Sequence, residues 1–325
     1  MSQKIFVVEN DALTAAQIQK YIEEMGYQWA GTADRAEVAL PQIQQAEPDL
    51  VLMDIHLDGA MDGIELATRL QADSAVAVVY LTAYADDNTL ARAKQTGPFG
   101  YLLKPFSRQD LKASIEMGLF KSAMERKQQR ILDAVVHTIA ELVRLHDPFL
   151  DGAQTRAAAL AQAIARELQL PQQEVRAIHM AAMLSGLGLV GVPGDLLLRR
   201  SPPLPTHFDI AASAYVRKQP EIGYGLLKDI EFELPVAEMV YQHMERLDGS
   251  GFPRALAGEA ILPGARVVAV ACKAAKLLTP FGADAPLSVD ATLAQLQAGS
   301  GTLYDAQVVA ACVRLFREKG FAFVG

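Results

Sequence analysis

The run Leu50-Val51-Leu52-Met53-Asp54 constrains the fold of this chain more than any other stretch. Four consecutive apolar residues after Pro48-Asp49 read as a short strand buried on both faces. Asp54 closes that strand, and a carboxylate there is costly unless it opens into a site. In open parallel α/β sheets such sites lie in the crevice beyond the carboxyl ends of the strands. The surrounding sequence repeats the pattern. Strand-like Lys4–Val8, Gln28–Ala33, Leu50–Asp54, Ala77–Thr82 and Gly100–Leu103 alternate with helix-like Ala12–Met25, Arg35–Gln45, Gly63–Gln71 and Asp86–Gln95. This alternation predicts an α/β doubly wound, five-stranded parallel sheet with helices on both faces.

Each strand end offers a polar group. The first gives Glu9, Asn10 and Asp11, the third Asp54, the fourth Thr82, and the fifth Lys104 followed by Pro105. Carboxylates with carbonyl oxygens make a hard-oxygen site suited to Mg²⁺. A lysine neutralises a phosphoryl oxygen and a hydroxyl hydrogen-bonds one. A carboxylate nucleophile that forms an acyl phosphate needs this set, because phosphoryl transfer is mostly positioning and charge neutralisation.

With these residues in place, residues 1–120 resemble the receiver domain of two-component response regulators, which has a flavodoxin-like fold. The strings Met61-Asp62-Gly63-Ile64-Glu65 and Gly100-Tyr101-Leu102-Leu103-Lys104-Pro105-Phe106 also match. The resemblance implies that Asp54 is the phospho-acceptor, supplied by a sensor histidine kinase. It implies that Thr82 is the switch hydroxyl, Tyr101 the aromatic that follows it, and Lys104 the charge partner before a cis proline bond. It places Mg²⁺ at Glu9, Asn10 and Asp54. The family usually has two adjacent acids after the first strand; here the second is Asn10. An amide offers an oxygen but no charge, with Asp11 as a candidate to compensate. Slower phosphorylation is the expectation, and a receiver independent of phosphate is the alternative.

Over residues 107–146 the apolar residues Leu111, Ile115 and Leu119, then Ile131, Leu132, Val135, Val136, Ile139, Leu142 and Val143, recur at helical spacing. No proline interrupts before Pro148. This predicts one long connecting helix that pairs two chains as a coiled coil. Two helices broken near Glu125–Arg130 are the other reading.

Residues 147–325 read as an all-α domain. The expected helices are Gln154–Leu168, Pro171–Leu187, Thr206–Lys218, Glu221–Ile230, Pro235–Leu247, Ala265–Leu278, Val289–Gln297 and Tyr304–Lys319. This half resembles the HD-GYP domain, a helical metal-dependent phosphodiesterase family acting on cyclic di-GMP. Asp147-Pro148-Phe149, Pro220-Glu221-Ile222-Gly223, Glu245-Arg246, Asp248–Pro253, Ala265–Ala271 and Ala298–Thr302 carry the likeness. Gly251-Phe252-Pro253 stands where the family has Gly-Tyr-Pro. At the family's metal-ligand positions the chain has Ala153, Ser185, Gly186, Gln219, Met244, Cys272 and Ala275, and Leu189 replaces a lysine. His243 survives from a histidine pair. His146-Asp147 reads as a helix terminus, and His137, His179 and His207 as surface or packing residues. Several imidazoles and a bridging carboxylate are needed to hold two metals. The expectation is therefore a catalytically inactive pseudo-enzyme without a di-metal centre. Its output is expected through protein contacts, with the loop Gly251, Phe252 and Pro253 facing a cyclase-domain or other signalling protein. Arg246 and Arg266 are candidates for holding an anion. Cyclic di-GMP binding, or its hydrolysis, is the alternative.

The net charge of −8 argues against nucleic acid as partner. Cys272 and Cys312 lack metal or disulfide spacing. The chain begins in a strand without a signal peptide, and no apolar run approaches ~20 residues. A cytoplasmic protein away from membranes is expected.

Overall fold

The computed structural model describes residues 2–73, 76–83, 87–146, 152–193, 210–278 and 285–323. Five parallel strands, β1 (Lys4–Val8), β2 (Gln28–Ala33), β3 (Leu50–Asp54), β4 (Ala77–Thr82) and β5 (Gly100–Leu103), pair in the order β2-β1-β3-β4-β5. Between them run α1 (Ala12–Glu24), α2 (Ala36–Ala46), α3 (Gly63–Asp73) and α4 (Asp87–Gln95). Alternate side chains of the strands feed two cores, as the two-residue period requires. Ile5, Val7, Leu50, Leu52, Val79 and Leu81 join Ile18 and Ile22 of α1. Phe6, Val8, Val51, Met53, Val78 and Tyr80 face the opposite way, with Ala39 and Leu66 from α2 and α3. All five strands occupy the ranges read from the sequence; β1, β3 and β4 are buried on both faces, whereas the edge strands β2 and β5 are only partly buried.

The connector is one helix of 39 residues, α5 (Arg108–His146), unbroken through the charged run. Ser107 and Asp110 hydrogen-bond reciprocally at its start. The chain divides into two compact units, one ending at Ile131 and one starting at Leu132, so the division falls inside α5.

The second unit contains α6 (Ala153–Glu167), α7 (Gln172–Leu184), a 3-10 turn (Leu187–Gly191), α8 (Ile210–Leu227), α9 (Val236–Gln242), α10 (Pro263–Leu278), α11 (Val289–Ala298) and α12 (Ala306–Arg317). Its core joins Leu160, Ile164, Ile178, Val240, Val268 and Leu293. Two expectations fail here. Pro220 does not separate two helices but lies inside α8. The 3-10 turn fits closely against that helix at Gln219 and Ile222, and this packing offsets the donor that proline removes. The helix expected to reach Leu247 stops at Gln242. There the chain turns, and the Glu245 carboxylate collects the backbone N–H groups of Arg254 and Leu256 at 2.8 and 3.0 Å. Among the described residues, no helix is long and apolar enough to cross a membrane.

Candidate functional site

The parallel sheet brings Glu9, Asp54, Thr82 and Lys104 to one edge, because each follows or closes a neighbouring strand. Lys104 Nζ donates to Glu9 Oε2 and to Asp54 Oδ2, both at 2.5 Å. The Glu9 side chain has no solvent exposure and that of Asp54 has 9%. Burial pushes the Glu9 carboxyl above its ordinary pKa, and the Lys104 hydrogen bond offsets this only in part. Burial also opposes the charge on Lys104, but its bonds to Asp54 and Glu9 outweigh that and raise its pKa. Asp54 Oδ1 accepts the His56 N–H at 2.9 Å, which leaves the Asp54 side chain fixed in the crevice. Gly63 is required beside it: a Cβ there would lie 1.9 Å from the Asp54 carbonyl oxygen.

The Thr82 hydroxyl is buried and has no hydrogen-bond partner. It stands one residue beyond the Asp54–Leu81 pair of the β3–β4 ladder. The Tyr101 hydroxyl is likewise buried without a partner, and its ring lies 5.8 Å from that of Tyr80. An unpaired buried hydroxyl is costly, by about 1–3 kcal/mol. The Lys104–Pro105 bond is cis.

Asn10 and Asp11 depart from the expected roles. Asp11 does not compensate for Asn10: its carboxylate caps α1, accepting from Leu13 N, Thr14 N and Thr14 Oγ1. The acid beside Asn10 is Asp58, whose Oδ2 accepts from Asn10 Nδ2 at 3.2 Å. Sequence reading missed Asp58 because it sits in the turn after β3, and only the turn's path returns it to the site. Glu9 and Asp54, held at one edge by Lys104, supply two carboxylates, which suits Mg²⁺, an ion that uses one or two carboxylates and retains waters. Chemically, this edge presents a fixed carboxylate nucleophile, a cation on it, and a free hydroxyl donor.

In the helical unit the structure brings Ser185, Gln219 and Cys272 together. Gln219 Nε2 donates to the Ser185 carbonyl at 2.8 Å, and Cys272 Sγ donates to Ser185 Oγ at 3.5 Å. Gln154, which sequence reading passed over, fills the space beside Gly186. A Cβ on Gly186 would lie 1.6 Å from Gln154 Nε2. His243 does not turn toward a ligand; its Nδ1 pairs with the Val240 carbonyl of its own helix at 2.6 Å. Burial pushes its pKa down to about 4 and the Cys272 thiol up to about 11. Both are neutral near pH 7. Among the described residues, no group of three or more His, Cys, Asp or Glu could hold a metal. These residues do not fit a metal pair, because neutral amides and hydroxyls stand where carboxylates and imidazoles are needed.

The loop candidates are also built into the fold. Asp248 caps its own turn through Ser250 N and Oγ. Phe252 is half-buried rather than exposed, with the Arg217 guanidinium 5.5 Å from its ring centre, and Phe252–Pro253 is cis. Arg266 is not available for an anion: it bonds the Ile261 and Gly258 carbonyls and Asp305. Arg246 lies over the Tyr304 ring and bonds the Glu245 carbonyl. His146 ends α5, with Nε2 at 3.3 Å from the Val192 carbonyl. His137 is exposed, and His179 is half-buried against the Ala158 carbonyl. Asp147, Pro148, Phe149 and His207 lie outside the described residues.

The fold and site define a two-part signalling protein: a sheet with a phosphoryl-type carboxylate site, followed by a helical HD-type unit. Comparison with known proteins agrees. A response regulator receiver domain matches residues 5–116, and an HD domain matches residues 137–308. The chain is 30% identical over 299 residues to the cyclic di-GMP phosphodiesterase response regulator RpfG of Xanthomonas campestris. That match spans 85% of this chain and 78% of RpfG. It is 25% identical to a cyclic di-GMP phosphodiesterase of Thermotoga maritima, over 97% of this chain and 90% of that one. A solved receiver domain of a modulated diguanylate cyclase from Desulfovibrio desulfuricans is 38% identical. It covers 38% of this chain and 99% of its own, with a TM-score of 0.37. The chain belongs to the response regulators that join a receiver domain to an HD domain.

The relatives correct one expectation. Both long matches are named cyclic di-GMP phosphodiesterases, which points to an enzyme and overturns the pseudo-enzyme reading. The ligand positions differ from the family pattern, yet the helical fold around them is kept, and phosphodiesterase relatives share it.

Proposed function

We propose that this chain is a cytoplasmic response regulator of cyclic di-GMP signalling, phosphorylated on Asp54 by a sensor histidine kinase. The observation that carries the receiver part is the unpartnered, buried Thr82 hydroxyl beside the Asp54–Lys104 pair. In the transfer the donor's P–N bond breaks and a P–O bond to an Asp54 oxygen forms. Mg²⁺ held by Glu9, Asn10 and Asp54 would neutralise charge on the phosphoryl oxygens. Lys104 stays on the aspartate side and offsets the added charge, about −1.5 to −2. Thr82 gives its hydrogen bond to a phosphoryl oxygen, and Tyr101 fills the space beside it.

The output half takes cyclic di-GMP as its ligand, a reading supported by the names of the two long relatives. No di-metal centre is assigned to that half, and Gly251, Phe252 and Pro253 present a contact loop to a cyclase-domain partner. Two chains pair along α5. The test uses the purified full chain with acetyl phosphate and Mg²⁺. A phosphoryl mass gain that is lost in Asp54→Ala is expected. Calorimetry and product analysis with cyclic di-GMP, in both receiver states, should show binding or hydrolysis. No mass gain overturns the receiver part; neither binding nor hydrolysis overturns the output part. A pair of iron or manganese ions per purified chain overturns the metal assignment.

A further inference from the structure

We propose that a cavity in the helical unit binds a small organic oxyanion, one with a carboxylate or phosphate at one end and an apolar body behind it. The cavity has a volume of about 400 Å³, within the roughly 300–1,000 Å³ of small-molecule sites. Its walls come from the last part of α5, from α6 and from α7, and all of its lining lies beyond the start of the second unit at Leu132. It shares no residue with the Ser185, Gln219 and Cys272 cluster. The proposal is therefore independent of the readings at Asp54 and for cyclic di-GMP.

The buried part of the lining is apolar: Val136, Met180 and Met183. Thioethers adapt to a flat or irregular apolar body. Around them α7 presents Gln172, Arg176 and His179, spaced four and three residues apart and so on one face of the helix. Gln162 of α6 and His137 of α5 complete the polar part. An ordinary solvated face would leave such side chains exposed, as Gln173 is. Gln162, Gln172, Arg176 and His179 are instead half-buried, gathered over apolar side chains.

Arg176 decides the sign of the ligand. Its guanidinium is half-buried, yet among the described residues it has neither an ion pair nor a hydrogen bond. A planar fork of N–H donors held partly out of water is matched by a carboxylate or a phosphate, through two parallel hydrogen bonds. Asp133, the acid in the lining, is partnered elsewhere and does not neutralise it. His179 adds direction. Its Nδ1 lies 3.2 Å from the Ala158 carbonyl, which only accepts, so Nδ1 carries a proton and the ring is held in place. Nε2, across the ring, is left to meet the ligand.

The test is titration calorimetry and thermal melting of the full chain, without Mg²⁺ so that the Asp54 site takes no part. The probes are phenyl phosphate, benzoate, inorganic phosphate and benzylamine. Phenyl phosphate, benzoate or both should bind once per chain and raise the melting temperature. The tighter of the two assigns the charged end as phosphate or carboxylate. Inorganic phosphate lacks the apolar body and benzylamine has the opposite charge, so each should bind at least about tenfold more weakly. Arg176→Gln should weaken the organic anion by about tenfold or more, and Arg176→Lys by less, since lysine keeps the charge and loses the fork. Arg166→Gln, at an exposed arginine of α6 outside the cavity, should change nothing. Circular dichroism checks the fold of each variant, and Arg176→Lys carries the test where Arg176→Gln fails to fold. Three results overturn the proposal: neither organic anion saturates by ~10 mM, benzylamine binds as tightly, or the Arg176 variants bind like the parent.

Discussion

Replacing Lys104 by Ala removes the cation that holds two buried acids apart. Lys104 Nζ contacts Glu9 and Asp54 at 2.5 Å each, and the lysine side chain is itself only 20% exposed. Removing one partner of a buried pair costs about 3–5 kcal/mol, because the remaining charge is left uncompensated. The partial exposure of the lysine and water entering the gap reduce this to about 2–3 kcal/mol. For a unit the size of the receiver, ~4 °C per kcal/mol gives a melting loss of ~8–12 °C. The loss must depend on pH, and the sign follows from Glu9. Its folded pKa lies above the ordinary carboxylate value, with burial as the main cause. A carboxyl of this kind favours the folded state while protonated and loses that contribution as pH rises through its folded value. Without Lys104 the pKa climbs further, so Lys104→Ala is most destabilised near pH 8 and approaches the parent near pH 5. Mg²⁺ should recover part of the loss at pH 8. Calorimetric melts of the full chain at both pH values, with and without Mg²⁺, read all three effects. A loss at pH 8 below ~2 °C, or an equal loss at both pH values, refutes the ion-triad reasoning.

Thr82→Ala should leave acetyl phosphate labelling of Asp54 intact but abolish the change in association or ligand binding that follows it; an unchanged response removes Thr82 from the switch. Asn10→Asp adds a carboxylate beside Asp58, so Mg²⁺ should bind several-fold tighter, read by titration calorimetry, while the metal-free receiver melts lower. Gly186→Ala should destabilise the helical unit by about 1–3 kcal/mol through overpacking against Gln154. The double variant with Gln154→Ala should recover most of that, since the two share one space. His243 has a folded pKa near 4, against about 6.5 unfolded, so the helical unit should lose stability as pH falls between those values. The full effect is about 3 kcal/mol, and His243→Gln should flatten the slope in urea titrations across that range.

The sheet was legible in the sequence because its three central strands are apolar on both faces, and the partly buried edge strands follow from the strand–helix alternation around them. A run such as Leu50–Asp54 admits only one strand, and its polar successor must stand at the carboxyl edge. Glu9, Asp54, Thr82 and Lys104 follow from that geometry alone. Asp58 and Gln154 were not legible, for a common reason. Each reaches its place through a contact across the chain, Asp58 to Asn10 and Gln154 to Gly186. Neither lies in a run whose periodicity assigns it a face. Asp11 misled for the converse reason: next to a metal-type acid, it also stands where a helix cap belongs, and the cap won. Pro220 misled because local propensity yields to a close tertiary fit. Even the long connector left a choice, since its charged segment suits a solvated helix as well as a break.

Both units keep buried charge, but at different places: at the receiver's strand edge, and in the helical unit at Glu245 and the Arg266–Asp305 pair, away from the Ser185 cluster. In the receiver, charge is retained and balanced: two acids share one lysine. Adding a phosphoryl group there changes the balance by more than one unit of charge. In the helical unit, Gln154, Ser185, Gln219, Cys272 and His243 form a set that is neutral near pH 7, with the thiol and imidazole shifted away from titration. Such a set responds weakly to a distant charge, because it has none of its own to move. The covalent element common to both units is α5, whose buried residues belong to one core at Leu111 and Ile115 and to the other at Val136 and Val143. α5 is thus the segment that continues from one core into the other.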